Sequence, residues 1–485
     1  MIAKKQKMFI GGKWVDSSSG KTFDDLNPFT GEVFAQVPAG TRDDARQAID
    51  AAKSAFPDWA ASPPSKRREI FLKAADVMEQ RQDELVKAMM EEVGGTIGIS
   101  MFQMGFVPGL YRMAAGAGYD VKGEIIPADH ADSFFMAVRQ PAGVVSCFAP
   151  FNVPYILGSR SFAFPMAYGN TIVLKPSEEA PLTGGLLLAE IFEEAGLPPG
   201  VLNVITSTRE EAADVGDEMI ANPAVRRISF TGSTEVGRII AEKAGRHLKR
   251  AVLELGGKDP LIVLGDADLD YAIDAAAWGA FLHQGEICMS TERIIVEKSI
   301  AKEFTERLKK RAQEIPMGDP TNPAIAIGPL INQAAVDKVH AHVQEAVADG
   351  ATLVTGGQYD NLVYHPTVVS DVDPGMRLFR EQTFGPVAPI VVVKDREEAL
   401  AVANDSDYGL SAGIITNDFT RALDMALRLE TGMVHINDQT VNDEPQAPFG
   451  GVKGSGYGRF GGGAALDEFT ELRWINVQRH PRTFP

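Results

Sequence analysis

From about residue 142 the chain alternates short apolar runs with helical stretches, and no other feature limits its fold as strongly. "GVVSCFAP", "TIVLKP", "LNVIT" and "ISFTGS" each have the length of a strand, with stretches such as "TGGLLLAEIFEEAG" between them. Strands separated by helices imply right-handed crossovers and a parallel sheet. The alternation resumes after residue 258 with "LIVL", "RIIVE", "TLVTG", "APIVVVK" and "AGIIT". Two α/β units of comparable size are therefore expected. "FTRALDMALRLETG" reads as an amphipathic helix running to Gly432.

The first third reads as helix-rich. "TRDDARQAIDAAKSAF" offers Thr41 as an N-cap with Asp44 three residues on, and Ala45, Ile49, Ala52 and Phe56 fall on one face. Segments 124–142 and 471–478 read as strands outside either unit, which suits an oligomerising arm.

The net charge of −18 excludes nucleic acid and anionic membrane surfaces as natural partners. No run approaches the ~18 apolar residues of a membrane helix, and "MIAKKQKMFIGGKWVD" lacks the apolar core of a secretory signal. The two cysteines of the chain cannot make a disulfide framework. The expectation is a cytoplasmic protein with free thiols.

One of those thiols has unusual company. In "HQGEICMS", 283–290, Cys288 follows the helical stretch "LDYAIDAAAWGAFLHQG", which should end near Gly285 and leave the cysteine in an exposed turn. A thiol attacks as thiolate only with help from a base, a cation or a helix N-terminus; an inert packed thiol is the alternative. Cys147, inside "GVVSCFAP", fits the inert description better. "LELGGKDP" sets Glu254 between Leu253 and Leu255. Apolar surroundings raise a carboxyl toward neutrality, as a general base requires, although a surface glutamate at a strand end fits the same letters. In "FAPFNVP", Asn152 follows a strand, where its amide would either donate to a developing oxyanion or simply shape a turn.

"LKPSE" and "FTGSTEVG" also follow strands. The second places glycine and hydroxyl residues at a helix start, where N–H groups and the helix dipole favour phosphate. The dinucleotide fingerprint G-x-G-x-x-G is absent. None of the eight histidines is placed by motif to pair with Cys288. His340 and His342, two apart on a helix, do not share a face, and no metal site is expected.

In chain order, "PFNVP", "LKPSE", "FTGS", "LELGGKDP", "GEIC", "TFGPV" and "PFGGVKGSGYGR" resemble the aldehyde dehydrogenase superfamily over nearly the whole sequence. The resemblance implies an α/β fold with a Rossmann-type cofactor domain (1–124 and 143–256) and an α/β catalytic domain (257–460). A β-arm from 125–142 and 461–485 would join subunits into a homodimer or homotetramer. Cys288 becomes the nucleophile that forms a thiohemiacetal with an aldehyde. Asn152 and the Cys288 N–H stabilise the oxyanion, and Glu254 activates the water that hydrolyses the ensuing thioester. Cofactor contacts carry over to Lys175, Ser177, Glu178, Gly232, Ser233, Gln382 and Phe384. Glu178 favours NAD over NADP, since a carboxylate accepts from a ribose 2′-OH and repels a 2′-phosphate, while some relatives use both. Phe151, Val153, Arg160, Ile287, Met289 and Phe449 would line the substrate pocket.

The sequence also departs from the pattern. Gln382 replaces a usual glutamate, Phe151 a tryptophan, and Phe460 a glutamate. Arg160 stands where many aliphatic-aldehyde members carry an aromatic residue; a surface arginine is the alternative reading. "PFNVP", "GYGRFGG" and "EFTELRWI" together look like the benzaldehyde, salicylaldehyde and vanillin dehydrogenases. An aromatic aldehyde is therefore expected, with Arg160 suited to a ring bearing a hydroxyl. An aliphatic aldehyde or semialdehyde is the alternative substrate. Glu254 weighs against thioester transfer to coenzyme A. A catalytically silent homologue would lack a nucleophile, base or oxyanion donor, and all three are present.

Overall fold

The computed structural model describes residues 5–484, and among these the expected alternation builds two large sheets. Four strands of the first, Thr171–Pro176, Val144–Ala149, Val225–Thr231 and Arg250–Glu254, lie side by side and parallel. Every residue of Val144–Ala149 and Thr171–Pro176 is buried, as continuous apolar runs must be when helices cover both faces. Val144–Ala149 is the switch point of the sheet, because the next strand lies on one side of it and the strand Val225–Thr231 on the other. Ligands of open α/β sheets bind beyond the carboxyl ends of strands at such a point.

The second sheet centres on Asp259–Val263, Thr291–Glu297, Val387–Val393 and Gly413–Ile415, all parallel. "TLVTG" departs from this pattern: Thr352–Thr355 forms an antiparallel edge on Thr367–Ser370. The two sheets meet at Gly256–Gly257, with the carboxyl ends of the first facing the amino ends of the second. Gly456–Tyr457, far along the chain, returns to pair with Arg250–Glu254 in the first sheet. A separate three-stranded sheet joins Gly123–Ile126, Ser133–Pro141 and Thr470–Gln478, the strands expected to lie outside both units.

Three local expectations need correction. Residues 5–40 are not helical: Met8–Ile10, Lys13–Val15, Thr22–Leu26 and Val33–Pro38 form hairpins before the first helix. That helix does begin with the Thr41–Asp44 capping box. The helix from Phe419 stops at Ala426 rather than Gly432, because the side chain of Asn404 takes over the backbone beyond it, donating to the Arg428 carbonyl at 3.0 Å and accepting from Glu430 N–H at 2.9 Å. The helix Leu269–Phe281 ends four residues before Gly285. His283 and Gln284 then adopt left-handed φ values of 49° and 45°, and Cys288 is half-buried rather than exposed. No described helix is long and apolar enough to cross a membrane.

Candidate active site

A cavity of about 210 Å³ opens where the two sheets meet, and Asn152, Glu254 and Cys288 all line it. Three separate segments bring them there: the loop after Val144–Ala149, the end of Arg250–Glu254, and the turn before Thr291–Glu297. A larger cleft of about 540 Å³ between residues 27–34 and 84–91 holds no cysteine, serine or histidine. Size alone does not mark the site.

The Cys288 turn is held from behind. His283 Nε2 lies 2.6 Å from the Asn152 carbonyl, and since a carbonyl only accepts, that nitrogen carries the ring proton. Burial pushes His283 down to about 4, so the ring is neutral. Asn152 Nδ2 returns a hydrogen bond to the Glu286 carbonyl at 2.8 Å, leaving its second N–H for the cavity. Gln284 donates to the Pro329 carbonyl at 2.9 Å, and Glu286 accepts from Ile331 N–H at 3.1 Å. Two successive left-handed residues cost conformational energy, and these bonds offset it. His283, Gln284 and Glu286 were not singled out in the sequence; only the charged residue two before the cysteine hinted at a built turn.

Glu254 is buried and paired in the sheet with Thr231, so the surface reading falls. Neither carboxylate oxygen has a hydrogen-bond donor of regular geometry. Burial pushes the carboxyl up to about 7, with the neighbouring Cys288 thiol and the Arg160 guanidinium pulling it back. Burial, reinforced by Glu254, raises the Cys288 thiol well above the ordinary range. Cys147 is a different case: fully buried, with Sγ on the Ser161 carbonyl at 3.2 Å and its thiol pushed up to about 12. The inert reading of Cys147 fits.

Gly232, Ser233, Gln382, Phe384 and Phe151 line the same cavity. Ser233 caps the helix Thr234–Arg246 by accepting from Val236 N–H at 3.3 Å, so a helix N-terminus faces the space. Gly256 lets the Gln382 amide approach the backbone closely, since a Cβ there would stand 2.4 Å from Gln382 Oε1 and push that side chain aside. Thr383 and Phe384 are held by a carboxylate that sequence reading missed: Glu292 accepts both backbone N–H groups at 2.7 and 2.8 Å and pairs with Lys258 Nζ at 2.6 Å. Lys338, also missed, lines the cavity beside Gln382. Lys175, near the end of the strand Thr171–Pro176, and Ser177 and Glu178 just after it are not among the residues lining this cavity. Lys175 is buried and its ammonium lowered by that burial. Ser177 Oγ accepts from Glu179 N–H at 3.2 Å. Glu178 pairs with Arg209 Nε at 3.0 Å, and Arg209 also reaches Glu179.

Of the expected pocket residues, only Phe151 lines the cavity itself; its ring meets Phe384 edge-on at 6.2 Å. Val153, Ile287, Met289 and Phe449 are buried in the surrounding apolar cluster. Arg160 is not a surface arginine. It lies within a helix buried over its whole length, Pro154–Ala167, and pairs with Asp443.

A model of the aldehyde dehydrogenase family matches residues 14–475. Vanillin dehydrogenase of Pseudomonas fluorescens is 47% identical over 478 residues, covering 99% of each chain. The crystal structure of a salicylaldehyde dehydrogenase from Pseudomonas putida G7 complexed with salicylaldehyde superposes with a TM-score of 0.97 at 42% identity, covering all of both chains. A betaine aldehyde dehydrogenase from Staphylococcus aureus in complex with NAD+ gives a TM-score of 0.95 at 34% identity over 99% of this chain and 95% of that one.

Proposed function

This chain belongs to the aldehyde dehydrogenase family, and from that premise we propose that it oxidises aromatic aldehydes to carboxylic acids with NAD, through a thioester on Cys288. The observation that carries the proposal is the convergence of a thiol, a carboxyl raised to about 7 and a side-chain amide on one cavity. The likeness to vanillin and salicylaldehyde dehydrogenases supports the aromatic class.

The residues present fit a nicotinamide cofactor. The N-terminus of Thr234–Arg246 offers N–H groups and a dipole to a pyrophosphate. Lys175, Ser177 and Glu178 would hold the adenosine end, and the Gln382–Phe384 loop the nicotinamide end. Glu178 favours NAD. Bound there, the cofactor supplies the hydride acceptor.

The chain's own groups do the rest. The buried thiol rests protonated, and Cys288 passes its proton to a water molecule in the cavity as sulfur attacks the carbonyl carbon. The oxygen that becomes an oxyanion is met by the free N–H of Asn152 and by the Cys288 N–H. After the thioester has formed, ionised Glu254 takes a proton from water, the hydroxyl adds to the thioester carbon, and the carbon–sulfur bond breaks to release the acid and the thiol. His283 and Glu286 keep the Asn152 amide aimed into the cavity.

The same proposal divides the chain into a cofactor domain (1–124 and 143–256), a catalytic domain (257–460) and an arm, in a cytoplasmic homodimer or homotetramer. Ile125, Leu472 and Trp474, exposed at 73%, 62% and 64% on the three-stranded sheet, support the assembly.

Reduced-nicotinamide formation with NAD, comparing benzaldehyde with propanal in wild type and Cys288→Ala, tests the reading. Benzaldehyde should show the higher kcat/KM, and the variant should be inactive with both. Faster propanal turnover would overturn the substrate class; turnover surviving in Cys288→Ala would overturn the mechanism.

A further inference from the structure

Beside the candidate catalytic cavity lies a charged pair that apolar walls do not require. The Arg160 side chain is 6% exposed and that of Asp443 10%. Arg160 Nη2 donates to Asp443 Oδ2, and its guanidinium covers the Phe449 ring at 4.2 Å. Asp443 Oδ1 is buried and has no hydrogen-bond donor of regular geometry in the protein, the neighbouring Glu444 N–H being the one backbone group that acts on the carboxyl. A buried carboxylate oxygen without a donor is destabilising, and an apolar pair of similar volume would avoid that penalty. The arrangement makes sense when a ligand supplies the missing proton.

The surroundings say where that ligand sits. Arg160, Phe164, Asp443 and Phe449 border a niche of about 10 Å³, the scale of a single oxygen-bearing group. Thr440 Oγ1 donates to the Met289 carbonyl at 2.6 Å, which ties the segment leading to Asp443 to the Cys288 turn. Leu157, three residues before Arg160 and so on the same helix face, lines the cavity of Cys288. The charges of Arg160 and Asp443 are also felt at Glu254.

We propose that Asp443 is a specificity-determining residue whose free Oδ1 accepts a hydrogen bond from a hydroxyl on the substrate ring. Arg160 positions the carboxylate. The assignment rests on the aromatic aldehyde reading and deepens it: the favoured substrates are phenolic aldehydes, bound as the neutral phenol. A methyl ether lacks the proton to donate, and a phenolate meets the carboxylate's like charge.

The test compares kcat/KM for the isomeric hydroxybenzaldehydes, their methyl ethers and benzaldehyde. It uses wild type, Asp443→Asn, and the double variant Asp443→Leu with Arg160→Met, which leaves no unpaired buried charge. Wild type should favour at least one hydroxy isomer over its own ether and over benzaldehyde by about tenfold or more, as for a hydrogen bond to a charged acceptor. The ratio should fall part of the way in Asp443→Asn, which keeps an acceptor oxygen, and to about one in the double variant. Each ratio is read within one enzyme form, so changes in overall activity cancel. In wild type the preference should decline as the phenol ionises, a result that decides the matter even if the double variant does not fold. Equal turnover of phenol and ether, a preference that survives the double variant, or one that grows with phenol ionisation would overturn the assignment. Turnover of propanal with none of the aromatic set would instead overturn the aromatic reading beneath it.

Discussion

Glu254→Gln keeps the side-chain volume and removes the carboxylate that should activate water. Positioned general bases contribute roughly 10²–10⁴-fold, about 3–5 kcal/mol of barrier, so steady-state kcat should fall by that factor. The first chemical step should persist. The Cys288 thiol is raised by burial and then by the Glu254 carboxyl, and removing the charge relaxes the thiol downward. Rapid mixing with NAD and benzaldehyde should therefore show a burst of reduced nicotinamide matching the active sites, followed by slow turnover. Alkylation of Cys288 by iodoacetamide at neutral pH should be no slower than in wild type. The pH dependence gives an independent sign. A carboxyl raised to about 7 is an acid below that pH and a base above it, so wild-type deacylation should climb as pH rises through about 7, and the variant should lack the climb. A variant that loses its burst and alkylates more slowly would show that Glu254 serves the thiol rather than water. Unchanged steady-state turnover would refute the role altogether.

Two other perturbations probe the cofactor side. Glu292→Gln breaks a pair whose side chains are 0% and 3% exposed; leaving the Lys258 ammonium unpaired should cost about 3–5 kcal/mol, read as a lowered Tm. Loosening the Thr383–Phe384 backbone should also raise KM for NAD more than it lowers kcat. Arg209→Ala removes the cation that offsets Glu178. kcat/KM with NADP should drop relative to NAD by up to about tenfold, as suits an exposed pair, and an unchanged ratio would show that Arg209 has no part in cofactor choice.

Much of this was legible in the sequence, for definite reasons. The strands Val144–Ala149 and Thr171–Pro176 are buried throughout and mostly apolar because both faces are covered, and that apolar run survives in the letters. Thr41 and Asp44 announced a helix start because a capping box acts over three residues. The N-terminal hairpins were hidden: Thr22–Leu26 is exposed at alternate positions and its polar residues resemble a loop, while Val33–Pro38 is short and its exposed positions keep no period of two. The overlong helix at 419–432 shows the same limit from the other side. Its apolar spacing continues past Ala426, but Asn404, more than twenty residues away in sequence, captures the backbone.

The site divides along the same line. Cys288, Glu254 and Asn152 stand in short motifs whose local chemistry is readable. The groups that hold them act across the chain: Glu286 is 134 residues from Asn152, Glu292 is 91 from Thr383, and Asp443 is 283 from Arg160. Arg160 shows what this separation hides. Its letters alone fitted a surface arginine or a tunnel residue, because an arginine can be buried only where a partner waits. The helix Pro154–Ala167 is buried throughout, so Arg160 requires hydrogen-bond acceptors, and the fold supplies Asp443 from a loop whose sequence, "VNDEPQAP", carries no periodicity or motif. Gln382 is a related case. Glutamine at 382 lacks the charge of the usual glutamate, yet the carboxylate of Glu292 grips the next two backbone N–H groups and Gly256 leaves room for the Gln382 amide. The position of the loop thus rests on Glu292, and the residue at 382 is free to tune the contact without setting the geometry.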